Sequence, residues 1–95
     1  MRDNFREDPV PALKIQLADL IVQRIAGWTQ VNAADLLKTS QPRVSDLRNG
    51  RLDLFSLEQL VRLVQRVEGF VQIHVEWGPR FAHLFEPVRP DVQPR

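Results

Sequence analysis

Two short helical segments separated by only two residues constrain this fold more than any other feature of the sequence. Thr29 is a good N-cap for the first segment, and Ser40 is a good N-cap for the second, which ends near Asn49. Pro42 falls in the first turn of the second helix, where its missing N–H costs no hydrogen bond. Only residues 38–39 remain for the turn, so the two helices must pack directly across each other.

Small and apolar residues stand where two closely crossing helices need them. Ala34 is small enough for the crossing point, while Val44 and Leu47, three residues apart, can anchor the second helix in a core. The other side chains of that helix then project the opposite way, toward the major groove of a DNA duplex. They are Gln41, Pro42, Ser45, Asp46 and Arg48. This arrangement predicts a helix-turn-helix unit whose recognition helix runs from about Ser40 to Asn49.

One longer helix precedes this unit and another follows it. The preceding helix begins within residues 9–11 and ends at Gly27, which can adopt a left-handed conformation. Its apolar face is formed by Leu13, Leu17, Leu20, Ile21 and Ile25. The following helix begins at Ser56, which forms a capping box with Gln59, and ends at Gly69. Its core stripe is Leu57, Leu60, Val61, Val64 and Val67.

The periodicity of the apolar residues changes after this last helix. Apolar and polar residues alternate over residues 70–77, which indicates a half-buried strand. Its apolar side is formed by Val71, Ile73, Val75 and Trp77. A lone strand leaves its backbone groups unpaired, so either a second chain supplies the partner strand or the tail folds back beside it. Because two-fold pairing is the commonest closed solution, we expect these four residues at a homodimer interface.

These elements predict an all-α fold of four to five helices with one C-terminal β-strand. The expected organisation is an N-terminal segment (1–11), a helix-turn-helix domain (12–69), a dimerisation strand (70–77) and a Pro-rich tail (78–95). Residues 81–85 could add one or two helical turns before the rest of the tail, which is expected to be extended or disordered.

Composition argues against several other classes of protein. The 95 residues, 43% of them hydrophobic, suffice for one domain with a small core. The absence of cysteine removes disulfides and thiolate metal sites, which fits a cytoplasmic protein. His74 and His83 have no carboxylate pair at ligand spacing, so neither a metal nor another cofactor is expected, and no motif indicates an enzyme. The charged N-terminus is unlike a signal peptide, and no apolar run is long enough for a membrane span.

The distribution of charge is more informative than the net charge, which is only +1. Residues 38–51 contain four basic side chains and a single acidic one, Asp46. The basic residues are Lys38, Arg43, Arg48 and Arg51. A basic segment concentrated on one small element is the electrostatic signature of nucleic-acid binding.

The sequence of the helix-turn-helix unit also resembles a known family. Residues 29–50, TQVNAADLLKTSQPRVSDLRNG, are similar to the helix-turn-helix of lambda-type phage repressors, which belong to the xenobiotic-response-element (XRE) family. With FSLEQL at residues 55–60 and the strand included, residues 13–77 resemble compact antitoxins of the HigA type. Those antitoxins bind a ribonuclease toxin and repress their own operon. The resemblance therefore implies double-stranded operator DNA and a small ribonuclease toxin as partners.

The resemblance also implies a role for each residue of the DNA-facing surface. The residues expected to contact DNA phosphates are Gln30, Ser40, Arg43 and Asn49. The residues expected to face the bases are Gln41, Pro42 and Asp46. Side-chain chemistry agrees, because a glutamine amide pairs bidentately with adenine and a carboxylate accepts a hydrogen bond from cytosine. The family often has glycine in the turn, where this chain has Lys38. A left-handed lysine costs about 1 kcal/mol, which a phosphate contact could offset.

Several assignments stay open at this point. Asp46 could instead pair with Arg43 or Arg48 and orient that arginine. Trp28 is expected in the core, and Trp77 is expected to cover the apolar face of the strand. The alternatives to an antitoxin are a stand-alone phage or plasmid regulator and a protein-interaction module that has lost DNA binding. The basic cluster argues against the interaction module, because an unused recognition face has no need of it.

Overall fold

The structure, a computed structural model, describes residues 8–80, which form four α-helices and one short 3-10 helix. The helices are α1 (Val10–Arg24), α2 (Gln30–Leu37), α3 (Gln41–Arg48) and α4 (Leu57–Arg66), and the 3-10 helix covers Leu52–Leu54. The four principal predicted helices are therefore confirmed. None of the helices in this part of the chain has the length and apolar character of a membrane span. Residues 1–7 and 81–95, with the predicted turns over 81–85 and His83, lie outside the described residues.

Side-chain caps begin α2, α3 and α4, as the sequence predicts. Thr29 Oγ1 and Ser40 Oγ each accept a hydrogen bond from the backbone N–H three residues further on, at 3.1 and 3.3 Å. Ser56 and Gln59 form the predicted capping box, with reciprocal hydrogen bonds of 2.8 and 3.1 Å. Each cap satisfies a backbone donor that helix geometry leaves unpaired, so the caps fix where the three helices start.

One core lies between the α1–α4 pair and the α2–α3 pair, which pack on each other. Its buried side chains are Ala18, Ile21, Ile25, Ala33, Ala34, Leu37, Val44, Leu47, Phe55, Leu60 and Val64. Ala34, Val44 and Leu47 are 7%, 0% and 2% exposed, which confirms the predicted crossing point and anchors. Burial of an aliphatic side chain of this size stabilises the fold by about 1.5–3 kcal/mol, so α3 is held firmly on one side.

The predicted apolar face of α1 is partly wrong. Ile21 and Ile25 are fully buried, but Leu13 and Leu20 are 40% and 53% exposed. At 3.6 residues per turn, both leucines lie roughly a quarter of a turn from Ile21, at the margin of the buried stripe. The small side chain of Ala18, nearer the centre of the stripe, is buried in their place.

The end of α4 differs from the prediction that Gly69 stops the helix. The helix ends at Arg66, and the left-handed residue beyond it is Glu68, with φ 67°. The Gly69 N–H donates to the carbonyl of Val64 at 2.9 Å. A Cβ at Gly69 would lie 2.8 Å from Val64 Cγ1, so glycine is needed here for close packing against α4.

Residues 70–77 form no strand within the described part of the chain. Ile73 is 86% exposed, while Val71 is half-buried against the core. Among residues 8–80, no backbone hydrogen bond involves residues 70–76. A strand needs a partner to complete its ladder, and the described part of a single chain supplies none. The strand and the homodimer interface of Val71, Ile73, Val75 and Trp77 therefore stay predictions.

Candidate nucleic-acid interface

The side of α3 that faces away from the core carries mainly polar side chains. Gln41 and Pro42 are exposed, Ser45 and Asp46 are half-buried, and we call these four residues the α3 face. Asn49 is the exposed C-cap of the helix, and its Nδ2 donates to Ser45 Oγ at 3.2 Å. Helical spacing places the four residues of the α3 face away from the buried anchors Val44 and Leu47. Such a face presents hydrogen-bonding groups on a rigid support.

The turn between α2 and α3 keeps a left-handed residue although it lacks glycine. Lys38 has φ 55° and ψ 48°. Its N–H donates to the carbonyl of Asp35 at 3.3 Å, and the N–H of Thr39 donates to that of Ala34 at 3.0 Å. The side chain of Lys38 is exposed. The chain thus accepts a conformational cost of about 1 kcal/mol and places an ammonium group beside α3.

Arg48 does not project outward with the α3 face, so the predicted orientation of this side chain is wrong. Its guanidinium donates to the side-chain oxygen of Gln30 and to the backbone carbonyls of Ile25 and Trp28, the latter two at 3.0 and 2.9 Å. A half-buried arginine must find acceptors, and these carbonyls lie at the end of α1 and in the loop that follows. Trp28 is also not the core residue that was predicted. Its side chain is 43% exposed, and its carbonyl is tied to Arg48.

The contact with Arg48 orients the side chain of Gln30. Gln30 Oε1 accepts from Arg48, which leaves the amide Nε2 as a donor at the first residue of α2. Backbone N–H groups at a helix N-terminus favour an anion, and a side-chain donor there adds to that preference. The arrangement is suited to a phosphate, the ligand that the resemblance implies for Gln30.

Arg43 is held against the loop that precedes α4. Its Nη1 donates to the carbonyl of Leu54 at 3.0 Å, and its guanidinium carbon lies 4.0 Å from the centre of the Phe55 ring. A guanidinium has five N–H donors, so this contact leaves others for an anion. The hydrogen bond and the cation–π contact fix the position of the charge before any ligand binds.

Asp46 pairs with Arg51, which is neither of the two arginines considered from the sequence. Asp46 Oδ1 lies 3.3 Å from Arg51 Nη1, and the carboxylate side chain is 18% exposed. The backbone N–H of Arg51 also donates to the carbonyl of Asp46 at 2.9 Å, which brings the two residues together. Arg43 and Arg48 are occupied elsewhere, as described above.

A cavity of about 250 Å³ between the α2–α3 turn and α4 is lined by four cationic side chains. They are Lys38, Arg43, Arg62 and Arg66. Arg62 and Arg66 were not predicted, because only the basic residues between positions 38 and 51 were considered. The signal available in the sequence was their spacing of four residues on one helix. Among residues 8–80 no cluster of histidine and carboxylate side chains is arranged to hold a metal ion. Basic side chains therefore dominate the electrostatics of this surface.

Comparison with known proteins agrees with this geometry. A family model described as a helix-turn-helix domain matches residues 2–76. A solved structure described as a "Putative XRE Family Transcriptional Regulator" is similar, with 32% sequence identity and a TM-score of 0.67 over 90% of this chain and 94% of that chain. A search of curated proteins finds no match. The chain belongs to the helix-turn-helix domain family and to the XRE transcriptional regulators.

Proposed function

We propose that this protein is a sequence-specific transcriptional repressor that binds a palindromic operator as a homodimer. The α3 face carries the proposal. Val44 and Leu47 fix one side of the helix in the core, while Gln41 and Pro42 are exposed on the other side. A helix anchored in this way fits the major groove of B-form DNA, which is about 12 Å wide.

The α3 face offers three different kinds of base contact. Gln41, the first residue of α3, has an exposed amide that can pair with adenine through a donor and an acceptor. Pro42 can contact only an apolar group, such as the methyl group of thymine. Asp46 uses one carboxylate oxygen for Arg51, so the other can accept a hydrogen bond from cytosine.

Residues around the α3 face would hold the DNA backbone and so set the register of the base contacts. The proposed phosphate contacts are Gln30, Lys38, Ser40, Arg43 and Asn49. Arg48 has a different role in this scheme, because its guanidinium is bonded within the protein and orients Gln30. It is a positioning residue and not a direct contact.

The proposed dimer forms through residues 70–77. The apolar side of this segment is Val71, Ile73, Val75 and Trp77, of which Ile73, Val75 and Trp77 are 86%, 59% and 48% exposed, an unusual set of apolar side chains to leave in water. Antiparallel pairing of two copies would complete a backbone ladder and cover these residues. Two recognition helices on one face could then meet half-sites one DNA turn apart, roughly 34 Å.

We further propose that the repressor is the antitoxin of a toxin–antitoxin pair that controls its own operon. The support is the resemblance of residues 13–77 to compact antitoxins, since the geometry of α3 suits any repressor of this type. A stand-alone phage or plasmid regulator is the alternative. An interaction module without DNA binding is less well supported, because Lys38 at the turn and Arg43 on α3 accompany the exposed residues of the α3 face.

Gel-shift titration tests the DNA-binding proposal. The protein should bind selected genomic duplexes with an affinity that falls steeply as salt rises, because each neutralised phosphate releases counterions. Gln41→Ala should cost about 1–3 kcal/mol at one base pair of each half-site and leave other positions unaffected. Gln23→Ala, which changes an exposed glutamine on α1, is the matched control. No binding to any genomic fragment at low salt would refute the proposal.

Co-expression with the neighbouring reading frame tests the antitoxin proposal. The charged residues 2–8 and the Pro-rich tail are parts of the sequence that a helix-turn-helix core does not need, so we expect one or both of them to contact a toxin. A stable complex should be recovered, and a chain lacking residues 2–8 or the tail should bind the partner more weakly while still binding DNA. Recovery of the free protein alone, together with a lack of toxicity of the neighbouring gene product, would favour the stand-alone regulator.

A further inference from the structure

The four-cation cavity between the α2–α3 turn and α4 is not explained by base recognition on the α3 face. We propose that it holds a backbone phosphate of duplex DNA, beside the stretch of groove that α3 reads. This inference rests on the proposed DNA binding and adds two contact residues on α4, Arg62 and Arg66. We call it the α4 phosphate site, formed by Lys38, Arg43, Arg62 and Arg66.

The lining of the α4 phosphate site has the chemistry of an anion site. Among residues 8–80, its lining contains Thr39 and Gln59 besides the four cations, and no acidic side chain. Gln59 Oε1 is already the acceptor for the Ser56 N–H, so its amide nitrogen remains as a donor. The other lining residues are Leu37, Phe55 and Leu63. Apolar walls strengthen the attraction between grouped cations and an anion by keeping the local dielectric low.

One of the four cations is already held in place, and a second is paired with a surface carboxylate. Arg43 is fixed by the Leu54 carbonyl and the Phe55 ring, and Arg62 Nη2 lies 2.6 Å from Glu58 Oε2. Fixed charges lose little side-chain entropy when an anion binds. The Arg62–Glu58 pair is exposed, with both side chains at least 70% accessible, so a phosphate can compete for the arginine.

The position of the site favours DNA over an acidic protein segment. Lys38 belongs to the turn that leads into α3, and Arg43 is part of α3 itself. A duplex whose major groove accepts α3 has a phosphate backbone on either side of that helix, because the groove is only about 12 Å wide. An anion bound by Lys38 and Arg43 is therefore close to where one of these backbones must pass.

The test measures how affinity for a mixed-sequence duplex of about 30 base pairs depends on salt, so no operator needs to be known. Arg66→Gln should lower the slope of log Kd against log salt by about one per protomer, hence about two per dimer. Arg66→Lys keeps the charge and should keep the slope. Arg24→Gln, which removes an exposed arginine from the last turn of α1, is the matched control and should leave the slope unchanged.

A second variant moves the affinity in the opposite direction. Glu58→Gln removes the carboxylate that competes for Arg62, so it should tighten DNA binding about two-fold to five-fold. Unchanged slopes and affinities for Arg66→Gln and Glu58→Gln, with normal binding by the wild type, would overturn this inference alone and leave the site to an acidic protein partner. Failure of the wild type to bind duplex DNA would instead remove the proposed function, and this inference with it.

Discussion

Ile73→Pro is expected to convert the proposed dimer into monomers and to weaken binding to a palindromic operator about 100-fold to 10,000-fold. Proline has no N–H, so it removes a ladder hydrogen bond at the centre of the paired segment. A monomer binds one half-site at a time and loses the gain in effective concentration that comes from linking two recognition helices. The two losses have one cause and should appear together.

The fold of the monomer should survive this substitution. Ile73 is 86% exposed, and no backbone hydrogen bond among residues 8–80 involves residues 70–76. Sedimentation equilibrium at tens of micromolar gives the oligomeric state, and circular dichroism checks the helices. Ile73→Thr, which keeps the N–H and the β-branched shape, should remain dimeric. A dimeric Ile73→Pro variant, or a monomeric wild type at the same concentration, would show that the segment pairs in another way.

Arg48→Ala is expected to lower the free energy of unfolding by about 2 kcal/mol and to weaken DNA binding by roughly a further 1 kcal/mol per protomer. The substitution removes three hydrogen bonds from one charged group, to Gln30, Ile25 and Trp28. Two backbone carbonyls, that of Ile25 at the end of α1 and that of Trp28 in the following loop, lose their arginine donor, which accounts for the loss of stability. Gln30 loses the contact that directs its amide, which accounts for the loss of affinity.

Arg51→Ala is the control for Arg48→Ala. Arg51 is 61% exposed and pairs with Asp46, a surface contact worth at most about 1 kcal/mol. Urea unfolding should therefore separate the two variants clearly. Arg48→Lys should recover only part of the stability, because an ammonium group cannot reproduce the planar fork of a guanidinium. Arg48→Ala with wild-type stability but a reduced salt slope would instead identify Arg48 as a direct phosphate contact.

The starts of α2, α3 and α4 were predictable because their signals are local. Thr29, Ser40 and Ser56 each satisfy a backbone donor three residues away, so the caps can be identified without knowing the tertiary structure. The anchors Val44 and Leu47 follow from helical spacing in the same way. The left-handed conformation of Lys38 was expected only from the resemblance, because the family often has glycine at this position.

The partners of the arginines were not predictable, because they depend on how distant parts of the chain meet. Arg48 reaches residues 18–23 positions earlier, and Arg43 reaches a carbonyl 11 positions later. Spacing on α3 gives the side of the helix on which each side chain starts, but not where a long flexible side chain ends. The same limit applies to Arg62 and Arg66, which join Lys38 only because α4 packs beside the turn.

The tight contact between Gly69 and Val64 has a consequence for the geometry of a dimer. A Cβ at Gly69 would lie 2.8 Å from Val64 Cγ1, so a side chain there would require the junction between α4 and residues 70–77 to shift. Two-fold symmetry would apply any such shift to both protomers, and so double its effect on the angle between the two domains. A change in the packing of Gly69 against Val64 would then change the distance between the two recognition helices. In the proposed dimer, the packing of Gly69 inside each protomer would therefore help to determine which separation of operator half-sites the protein can bind.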